Sequence, residues 1–338
     1  SVVGLVEVLK KYGEIKAAFN TLKKLLTTED FDLVVLIDYP DFNLRFASEA
    51  LGLGVPVLYY ISPQVWAWRK GRVKEIARVV DKLLVVFPFE VELYKNTDLD
   101  VEFVGHPLAE TTHLGLSSAE AKKKLGIDEN KTLLAILPGS RTEEVKRLLR
   151  PMVAGAMLFR ETLKEDTVII LPVASSIDDE LIHSLLGEVA STIKIVRDKT
   201  YLALNAADIA VVASGTATLE TALFETPMVI VYSLSPISFF ISSKLVEIDT
   251  VGLPNIIAGK KIVPELLQSE VTPENIFKEL SKLFDKENYT EVRSNLGKLR
   301  EKLGEGSASK NAAKAIFTLL DKNKSGKETT PPLSEQTL

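Results

Sequence analysis

The sequence contains no cysteine, and this absence excludes disulfides, a thiolate nucleophile and any zinc site built on cysteine. Its three histidines, at positions 106, 113 and 183, do not have the spacing typical of metal ligands. Long apolar runs are missing too, since the stretch 83–89 is far shorter than the ~20 residues that span a bilayer. No signal peptide is visible, so the cytoplasm is the expected location.

An excess of positive charge is also absent. The net charge is −5 and the pI is near 5.5, which excludes a protein built to hold nucleic acid by counterion release. Neither a Walker loop nor a GxGxxG fingerprint occurs. What the chain does have is 338 residues, 46% of them hydrophobic, and this is enough for two cores.

Short apolar runs alternate with helical stretches along the chain, a pattern typical of buried parallel strands in an α/β protein. Strands are predicted in two series on either side of a polar stretch, at 32–38, 55–61, 82–87, 101–104, 132–137, 167–171, 193–196, 208–213 and 228–232. Two Rossmann-type domains with parallel sheets facing a cleft are the economical interpretation. The expected parts are an N-terminal domain 1–112, a C-terminal domain 113–285, helices over 286–322 and a disordered tail 323–338.

Two predicted strands run straight into small, polar turns that open a helix. Gly139, Ser140 and Arg141 follow the strand 132–137, and the turns lie about 70 residues apart. Free backbone N–H groups at a helix start favour anions, and a nucleotide diphosphate would fit one pocket that both turns share. The alternative is a helix that Ser140 merely caps, although a cation at Arg141 is disfavoured there unless an anion arrives.

The second turn is the stronger of the two. Ser214, Gly215, Thr216 and Ala217 are small enough to let phosphates approach the backbone, and Glu220 follows within the helix. A carboxylate there can accept two hydrogen bonds from a ribose diol. A solvent-facing helix glutamate is the alternative.

A possible general base follows the first predicted strand. Asp38 and Asp41 are three residues apart, and burial and a like-charged neighbour would raise the pKa of one of them. Asp38 capping a turn while Asp41 is solvated is the alternative. His106, at the end of another strand, is a rival base or a structural histidine. Asn255, in a Leu-Pro-Asn loop, is a weak indication of function on its own. Packing explains Trp66 and Trp68 as well as a functional role does.

The first 26 residues combine lysines with apolar residues. Five lysines and two glutamates are interleaved with leucine, valine and phenylalanine, as in a basic amphipathic helix on an anionic bilayer. A helix that packs on a sheet has a similar pattern, so the alternative stays open. The basic run 69–74 favours membrane contact slightly. The sequence has no initiator Met and opens inside an apolar pattern, which suggests a start part-way into a domain.

Taken together, these segments resemble the lipid-A-disaccharide synthase family. The resemblance is carried in order over nearly the whole chain by segments at 37–43, 60–69, 87–90, 104–107, 137–141, 214–220 and 253–255, which include WAW, LPGSR, SGTATLE and LPN. It implies a metal-independent, inverting glycosyltransferase of GT-B fold without a cofactor. Such an enzyme transfers diacylglucosamine from UDP-2,3-diacylglucosamine to lipid X and forms lipid A disaccharide 1-phosphate and UDP.

The resemblance also implies roles for residues and a location. Asp38 corresponds to the candidate catalytic base, while Arg141, Glu220 and Asn255 correspond to residues for the UDP part or the reaction. A peripheral position on the cytoplasmic face of the inner membrane follows, and the oligomeric state stays open, a homo-oligomer included. The family begins with a strand and a glycine-rich loop that have no counterpart before Ser1, on the order of 60 residues. We therefore expect this chain to be inactive alone.

Two other functions remain open at this point. Another UDP-sugar enzyme of GT-B fold, such as a nucleotide-sugar 2-epimerase, shares the architecture and needs no lipid-facing surface. A non-catalytic UDP-sugar-binding protein is the candidate from a different class.

Overall fold

A computed structural model describes residues 5–68, 71–163, 166–234, 250–304 and 306–328, with the backbone alone described at 5–11, 67–68 and 323–328. The chain divides into two compact units. The first unit comprises Ser1–Pro107 together with Gly306–Leu338, and the second comprises Leu108–Glu305. The last helix therefore belongs with the N-terminal part of the chain, whereas the sequence placed residues 286–322 in a separate helical region.

The first unit is built on a parallel sheet of four strands in the order β1-β2-β3-β4. Its elements are α1 Leu5–Thr28, β1 Val34–Ile37, α2 Pro40–Gly52, β2 Val57–Tyr60, α3 Val65–Trp68, α4 Arg72–Val79, β3 Lys82–Val85, α5 Glu90–Leu93, β4 Asp100–Phe103 and the final helix, α15, Ala308–Glu328. Helix α6, Pro107–Thr111, starts at the boundary of the units. All four predicted strands are present, and β3 is buried at every position.

Helix α15 completes the core of the first unit. Ala312, Ala315 and Leu319 pack in one buried cluster with Leu58 and Leu84 of the central strands. The helix continues to Glu328, beyond the predicted start of a disordered tail at 323, and residues 329–338 lie outside the described residues.

The second unit is built on a parallel sheet of six strands in the order β10-β9-β8-β5-β6-β7. Its elements are α7 Ser118–Lys124, β5 Thr132–Leu137, α8 Thr142–Thr162, β6 Thr167–Val173, α9 Asp179–Leu186, a 3-10 turn Gly187–Thr192, β7 Ile193–Arg197, α10 Thr200–Ala206, β8 Ile209–Ala213, α11 Thr216–Leu223, β9 Met228–Tyr232, α12 Leu253–Ala258, β10 Glu265–Leu267, a 3-10 turn Gln268–Glu270, α13 Pro273–Leu283 and α14 Lys286–Lys302.

The central strands of the second unit are apolar at every position except Thr132, because both faces of the sheet are buried. All residues of β5 and β8 are buried, and they pair in register from Leu134 with Ile209 to Leu137 with Val212. All five predicted strands are present. Among the strands of the described residues, the sequence missed only β10, which is three residues long and has no alternation to detect.

An ion pair between Lys122, which is buried, and Asp208 holds the amino-terminal ends of β5 and β8 together, at the edge of the sheet opposite the two turns. The Lys122 ammonium lies 2.9 Å from the Asp208 carboxylate and also donates to the carbonyl oxygen of Lys131 at 2.9 Å. The same carboxylate accepts the Leu133 N–H at 2.7 Å. These bonds satisfy a buried charge and fix β5 beside β8.

Candidate functional site

Strands β5 and β8 are neighbours at the point where the strand order of the second sheet reverses. The chain leaves β5 toward β6 on one side and leaves β8 toward β9 on the other. Ligands of open parallel sheets bind at the carboxyl ends of the strands at such a reversal. The two turns singled out from the sequence follow these two strands, so they lie at one edge of one sheet.

The turn after β5 is held by its own helix. Gly139 has a φ of 106°, and a Cβ atom there would overlap the Glu144 carboxylate, so the position requires glycine. The N-cap of α8 is Arg141, whose side chain makes no cap bond. The interpretation of Ser140 as the N-cap is therefore wrong. The carbonyl oxygen of Ser140 accepts the Ser176 hydroxyl at 2.7 Å.

Glu144 folds back over this turn and accepts the backbone N–H groups of Ser140 and Arg141. Burial raises the pKa of the Glu144 carboxyl, while the nearby Arg141 guanidinium and these two N–H groups act in the opposite direction. An anion from within the protein thus occupies the amides that were predicted for a diphosphate. A ligand phosphate can use them only if Glu144 moves away.

The turn after β8 presents different donors. The Ser214 N–H is taken by the Val231 carbonyl oxygen at 2.9 Å, and the Ser214 hydroxyl donates to the Val251 carbonyl oxygen at 2.9 Å. Gly215 has a φ of 147° and precedes α11, whose first amides, at Thr216 and Ala217, have no partner inside the helix. These amides, rather than that of Ser214, are the donors that a phosphate could reach.

Glu220 lies one turn inside α11 and is half-buried, so the solvent-facing interpretation is wrong. The Tyr201 hydroxyl donates to Glu220 Oε1 at 2.9 Å, which leaves Oε2 available to further donors. Burial raises the pKa of the Glu220 carboxyl, and the tyrosine bond partly offsets this. Tyr201 also borders a surface hollow of about 570 Å³, which no predicted site residue lines.

Asn255 lies in α12 and is 1% exposed. Its amide Nδ2 donates to the Val263 carbonyl oxygen at 2.9 Å and to Glu265 Oε1 at 2.7 Å. Its Oδ1 accepts the N–H groups of Ile262 and Val263 at 2.7 and 3.0 Å. Both donors and both lone pairs of the amide are thus used within the protein, and contact with a substrate would require some of these bonds to break.

In the first unit, Asp38 lies in a left-handed turn at the end of β1. Asp38 and Tyr39 have φ values of 51° and 43°, a conformation that is costly for residues other than glycine. The Asp38 carbonyl oxygen accepts the Tyr59 hydroxyl at 2.6 Å and the Asn43 amide at 2.7 Å, and these bonds hold the turn. Strain that surrounding bonds maintain is typical of functional positions.

The expected surroundings of the Asp38 carboxylate were wrong. Its side chain is exposed, so burial does not act on it. The Asp41 carboxylate forms an ion pair with Arg72, which balances the negative charge that was expected to act on Asp38. The Asp38 carboxylate therefore lies just beyond the carboxyl end of β1, without the burial that the sequence predicted.

His106 belongs to a buried aromatic cluster with Phe87, 5.2 Å between ring centroids, and burial lowers the pKa of its imidazole to about 4. Glu90 in the same region is 1% exposed, and burial raises the pKa of its carboxyl to about 7. The Trp66 indole donates to Glu90 Oε1 at 3.2 Å, and the Phe87 N–H donates to Oε2 at 3.1 Å. Trp66 thus has a packing role, while the side chain of Trp68 lies outside the described residues.

Helix α1 uses part of its apolar side for the core. Phe19 contacts Phe42 and Phe46 edge-on, and Leu26 is buried, whereas Leu22 and Leu25 are 38% and 41% exposed. The side chains of 5–11, which carry half of the predicted amphipathic pattern, and residues 69–70 of the basic run lie outside the described residues. Within the described part of the chain, none of the helices is apolar over a length that could cross a bilayer.

Three side chains at the site were missed from the sequence. Glu144 stands at the third helical position, where an acid commonly reaches back to the helix start, so its spacing was a usable indication. Tyr201 and Glu265 reach the site from separate strands and helices, and no local pattern marks them. Across the described residues, no group of three or more histidine, aspartate or glutamate side chains is arranged to hold a metal ion.

Comparisons with known proteins identify the family and the fold of the chain. The lipid-A-disaccharide synthetase family model matches residues 1–318. The lipid-A-disaccharide synthase of Geobacter metallireducens is 45% identical over 325 residues, which cover 96% of this chain and 84% of the relative. That of Trichlorobacter lovleyi is 42% identical over 324 residues, with coverage of 96% and 84%.

Among solved structures, a putative UDP-N-acetylglucosamine 2-epimerase from Listeria monocytogenes is similar with a TM-score of 0.63. The superposition covers 91% of this chain and 80% of the Listeria chain. The two sequences are 12% identical, so the likeness concerns the fold alone. The prediction of an α/β, GT-B-like fold is confirmed. By family model and by identity, the chain belongs to the lipid-A-disaccharide synthase family of glycosyltransferases.

Proposed function

We propose that the chain transfers 2,3-diacylglucosamine from UDP-2,3-diacylglucosamine to lipid X, with release of UDP. The observation that carries the proposal is the pairing of a free helix start, at Gly215, Thr216 and Ala217, with a half-buried carboxylate one turn later, at Glu220. Amides for a diphosphate and an acceptor for a ribose diol at this separation suit a uridine diphosphate.

In this proposal the second unit binds the donor. Glu220 Oε2 accepts the ribose hydroxyls, and the amides at the start of α11 hold the diphosphate. Gly139, Ser140 and Arg141 add their donors once Glu144 has left the turn. As the bond from the anomeric carbon to the phosphate oxygen breaks, UDP keeps the electron pair, and the Arg141 guanidinium stabilises the growing negative charge.

The first unit supplies the base. The hydroxyl at position 6 of the acceptor attacks the anomeric carbon from the face opposite the leaving group, and Asp38 takes its proton. The bonds from Tyr59 and Asn43 to the Asp38 carbonyl oxygen support this role, because they fix the strained backbone from which the carboxylate projects.

We also place the protein peripherally on the cytoplasmic face of the inner membrane, where both lipid substrates could enter. Exposed Leu22 and Leu25 on α1, next to Lys24, support contact with an anionic surface. Sedimentation with vesicles of anionic and of neutral lipid tests this, and equal binding to both would contradict the electrostatic part.

The reaction is tested by UDP release from UDP-2,3-diacylglucosamine with and without lipid X. A synthase requires the acceptor, while a 2-epimerase changes the sugar without it and a binding protein releases no UDP. Release that does not depend on lipid X would overturn the proposal. The fold shared with the Listeria protein keeps the epimerase as the second candidate.

A further inference from the structure

We propose that Asn255 and Glu265 form a clamp that positions the loop at Val251 and Gly252, just before α12, against the Ser214 turn, so that Asn255 serves the reaction without touching the substrate. This inference rests on the proposed function, because it assigns the clamp to the UDP-binding edge of the second unit. It makes Glu265, which no sequence pattern marked, a positioning residue.

The first step is that the Asn255 amide already has its full set of partners. It is 1% exposed, and its two donors and one acceptor oxygen make four bonds of 2.7 to 3.0 Å. Three of these bonds connect α12 to the backbone of 262–263, which leads into β10. A buried amide satisfied in this way holds two chain segments together, and turning it toward a ligand would leave several polar groups unpaired.

The second step is that the Glu265 carboxylate accepts hydrogen bonds from two backbone N–H groups of the loop and from the Asn255 amide. Oε2 accepts the Val251 N–H at 2.9 Å, while Oε1 accepts the Gly252 N–H at 3.0 Å and the Asn255 amide at 2.7 Å. A Cβ atom at Gly252 would meet Ile230 Cδ1 at an overlapping distance and Glu265 Oε1 at 2.9 Å. Glycine there lets the loop lie directly on the carboxylate.

The third step connects the clamp to the predicted UDP site. The Val251 carbonyl oxygen accepts the Ser214 hydroxyl at 2.9 Å, and the Val251 N–H is held by Glu265. Val251 therefore connects the Glu265 carboxylate, which accepts its N–H, to the turn that opens α11, whose Ser214 hydroxyl donates to its carbonyl oxygen. Loss of the clamp releases the Ser214 hydroxyl and loosens the amides of Thr216 and Ala217, and the expected result is weaker UDP binding.

A double-mutant cycle tests the coupling. Asn255→Ala, Glu265→Ala and the double variant are compared by UDP calorimetry and by KM and kcat for the UDP-sugar in the intact enzyme. If both residues act through one loop, each single change weakens UDP binding about tenfold and the double change is no worse than either. Losses that multiply in the double variant would overturn the proposal, because Asn255 would then act on the ligand independently.

A polar exchange keeps the test decisive if the alanine variants do not fold. Asn255→Asp alone sets two carboxylates against each other and should weaken UDP binding strongly. Adding Glu265→Gln removes that repulsion and should recover at least fivefold of the loss, since an amide and a carboxylate again face each other. A residue that contacts the substrate directly would not be rescued from position 265, and absence of rescue in a folded double variant overturns the clamp.

The matched control is Glu270→Gln, which removes a charge five residues along the chain where Glu270 accepts the Leu267 N–H at 2.9 Å. It should leave UDP affinity unchanged. Wild-type protein that binds no UDP would overturn the proposed function and the clamp together. Normal UDP binding by the wild type with independent losses in the cycle would overturn the clamp alone.

Discussion

The two sheets differ in how their strands are ordered, and the candidate groups differ accordingly. The sheet of the first unit has its four described strands in sequential order, β1 to β4. The sheet of the second unit reverses between β5 and β8, so two helix starts open at neighbouring strand ends. Where the strand order reverses, the chains leaving two adjacent strands turn to opposite sides and leave backbone donors around one crevice. In a sheet of sequential order no such crevice forms between adjacent strands.

This difference teaches which part of a reaction each unit can carry. The second unit offers the amides at the start of α11, a guanidinium and a half-buried carboxylate, all of which suit a charged and extended ligand, while Glu144 occupies the amides of the turn after β5. The first unit offers a single exposed carboxylate on a strained turn at Asp38, held by neighbours that bond its backbone. Binding should therefore be lost by changes in the second unit, and the rate should be lost most by a change in the first.

The largest expected effect comes from Asp38→Asn in the intact enzyme. Turnover should fall by ~10²–10⁴ because a positioned base is lost, while UDP affinity stays near that of the wild type. Turnover is measured by UDP release, and affinity by calorimetry. Asp41→Asn, in the first turn of α2, is the matched control and should cost much less. A similar loss in both variants, or weaker UDP binding in Asp38→Asn, would break the division of roles.

Arg141→Ala should lower turnover by ~10²–10³, the scale for losing one contact to the developing charge of the leaving group. Steady-state kinetics with saturating lipid X measure it. Lys146→Ala removes a cation from the same helix, where it pairs with Glu143 at 2.8 Å, and serves as the control. Equal turnover in the two variants would show that Arg141 only starts the helix.

Glu90 should make the stability of the first unit depend on pH. Burial raises its pKa from 4.5 to about 7, so the unfolded chain loses this proton first as pH rises. The free energy of unfolding should therefore fall by about 3 kcal/mol between pH 4.5 and pH 8 from this group. His106, whose pKa burial lowers from 6.5 to about 4, acts in the opposite direction between about pH 4 and pH 6.5, within the same range.

Thermal melts of the wild type and Glu90→Gln across this pH range isolate the contribution of Glu90. Because His106 contributes to both proteins, the quantity to compare at each pH is the free energy of unfolding of the wild type minus that of Glu90→Gln, and this difference should fall by about 3 kcal/mol between pH 4.5 and pH 8. Parallel curves for the two proteins would contradict the assignment of the raised pKa.

Glu220→Gln should weaken UDP binding about tenfold, since a neutral amide loses charge-assisted bonds to the ribose diol. Calorimetry on a variant with an unchanged circular dichroism spectrum measures it. Glu225→Gln is the control, because Glu225 lies just after the same helix and pairs with Arg293 at 3.7 Å. Unchanged affinity in Glu220→Gln would remove this residue from the site.

The smallest expected effect is a gain. Glu144→Gln removes the negative charge that competes with a phosphate at the turn after β5, so UDP-sugar affinity should rise about two- to fivefold. The pKa of Glu144 is raised, so its carboxyl in the wild type becomes protonated and neutral as pH falls. The difference in UDP-sugar affinity between the variant and the wild type should therefore shrink at lower pH. Glu143→Gln is the control, and weaker binding in Glu144→Gln would mean that Glu144 assists the ligand.

Much of the architecture was predictable from the sequence because parallel strands buried on both faces form short, uninterrupted apolar runs. All nine predicted strands are present, and both small-residue turns lie where a strand meets a helix. The likeness of the LPGSR and SGTATLE segments to one family then gave the function. These features are local, so a single stretch of sequence carries them.

The details of the site were less predictable because they depend on distant segments. The burial expected for Asp38 was wrong, because β1 ends at Ile37 and Asp38 lies in the exposed left-handed turn that follows it. The bonds of Asn255 depend on the chain at 262–265, where β10 was too short to recognise. The Tyr201 bond to Glu220 joins two helices that no periodicity connects. Which donors remain for a ligand is thus decided by tertiary contacts.

The return of α15 to the first unit also has a consequence for synthesis on the ribosome. Leu58 and Leu84 belong to a buried cluster that also contains Ala312, Ala315 and Leu319, which are made more than two hundred residues later. The second unit is complete in sequence before that helix emerges. The nascent first unit should therefore keep an apolar face exposed until α15 has been made, and such exposed apolar surface is prone to aggregation.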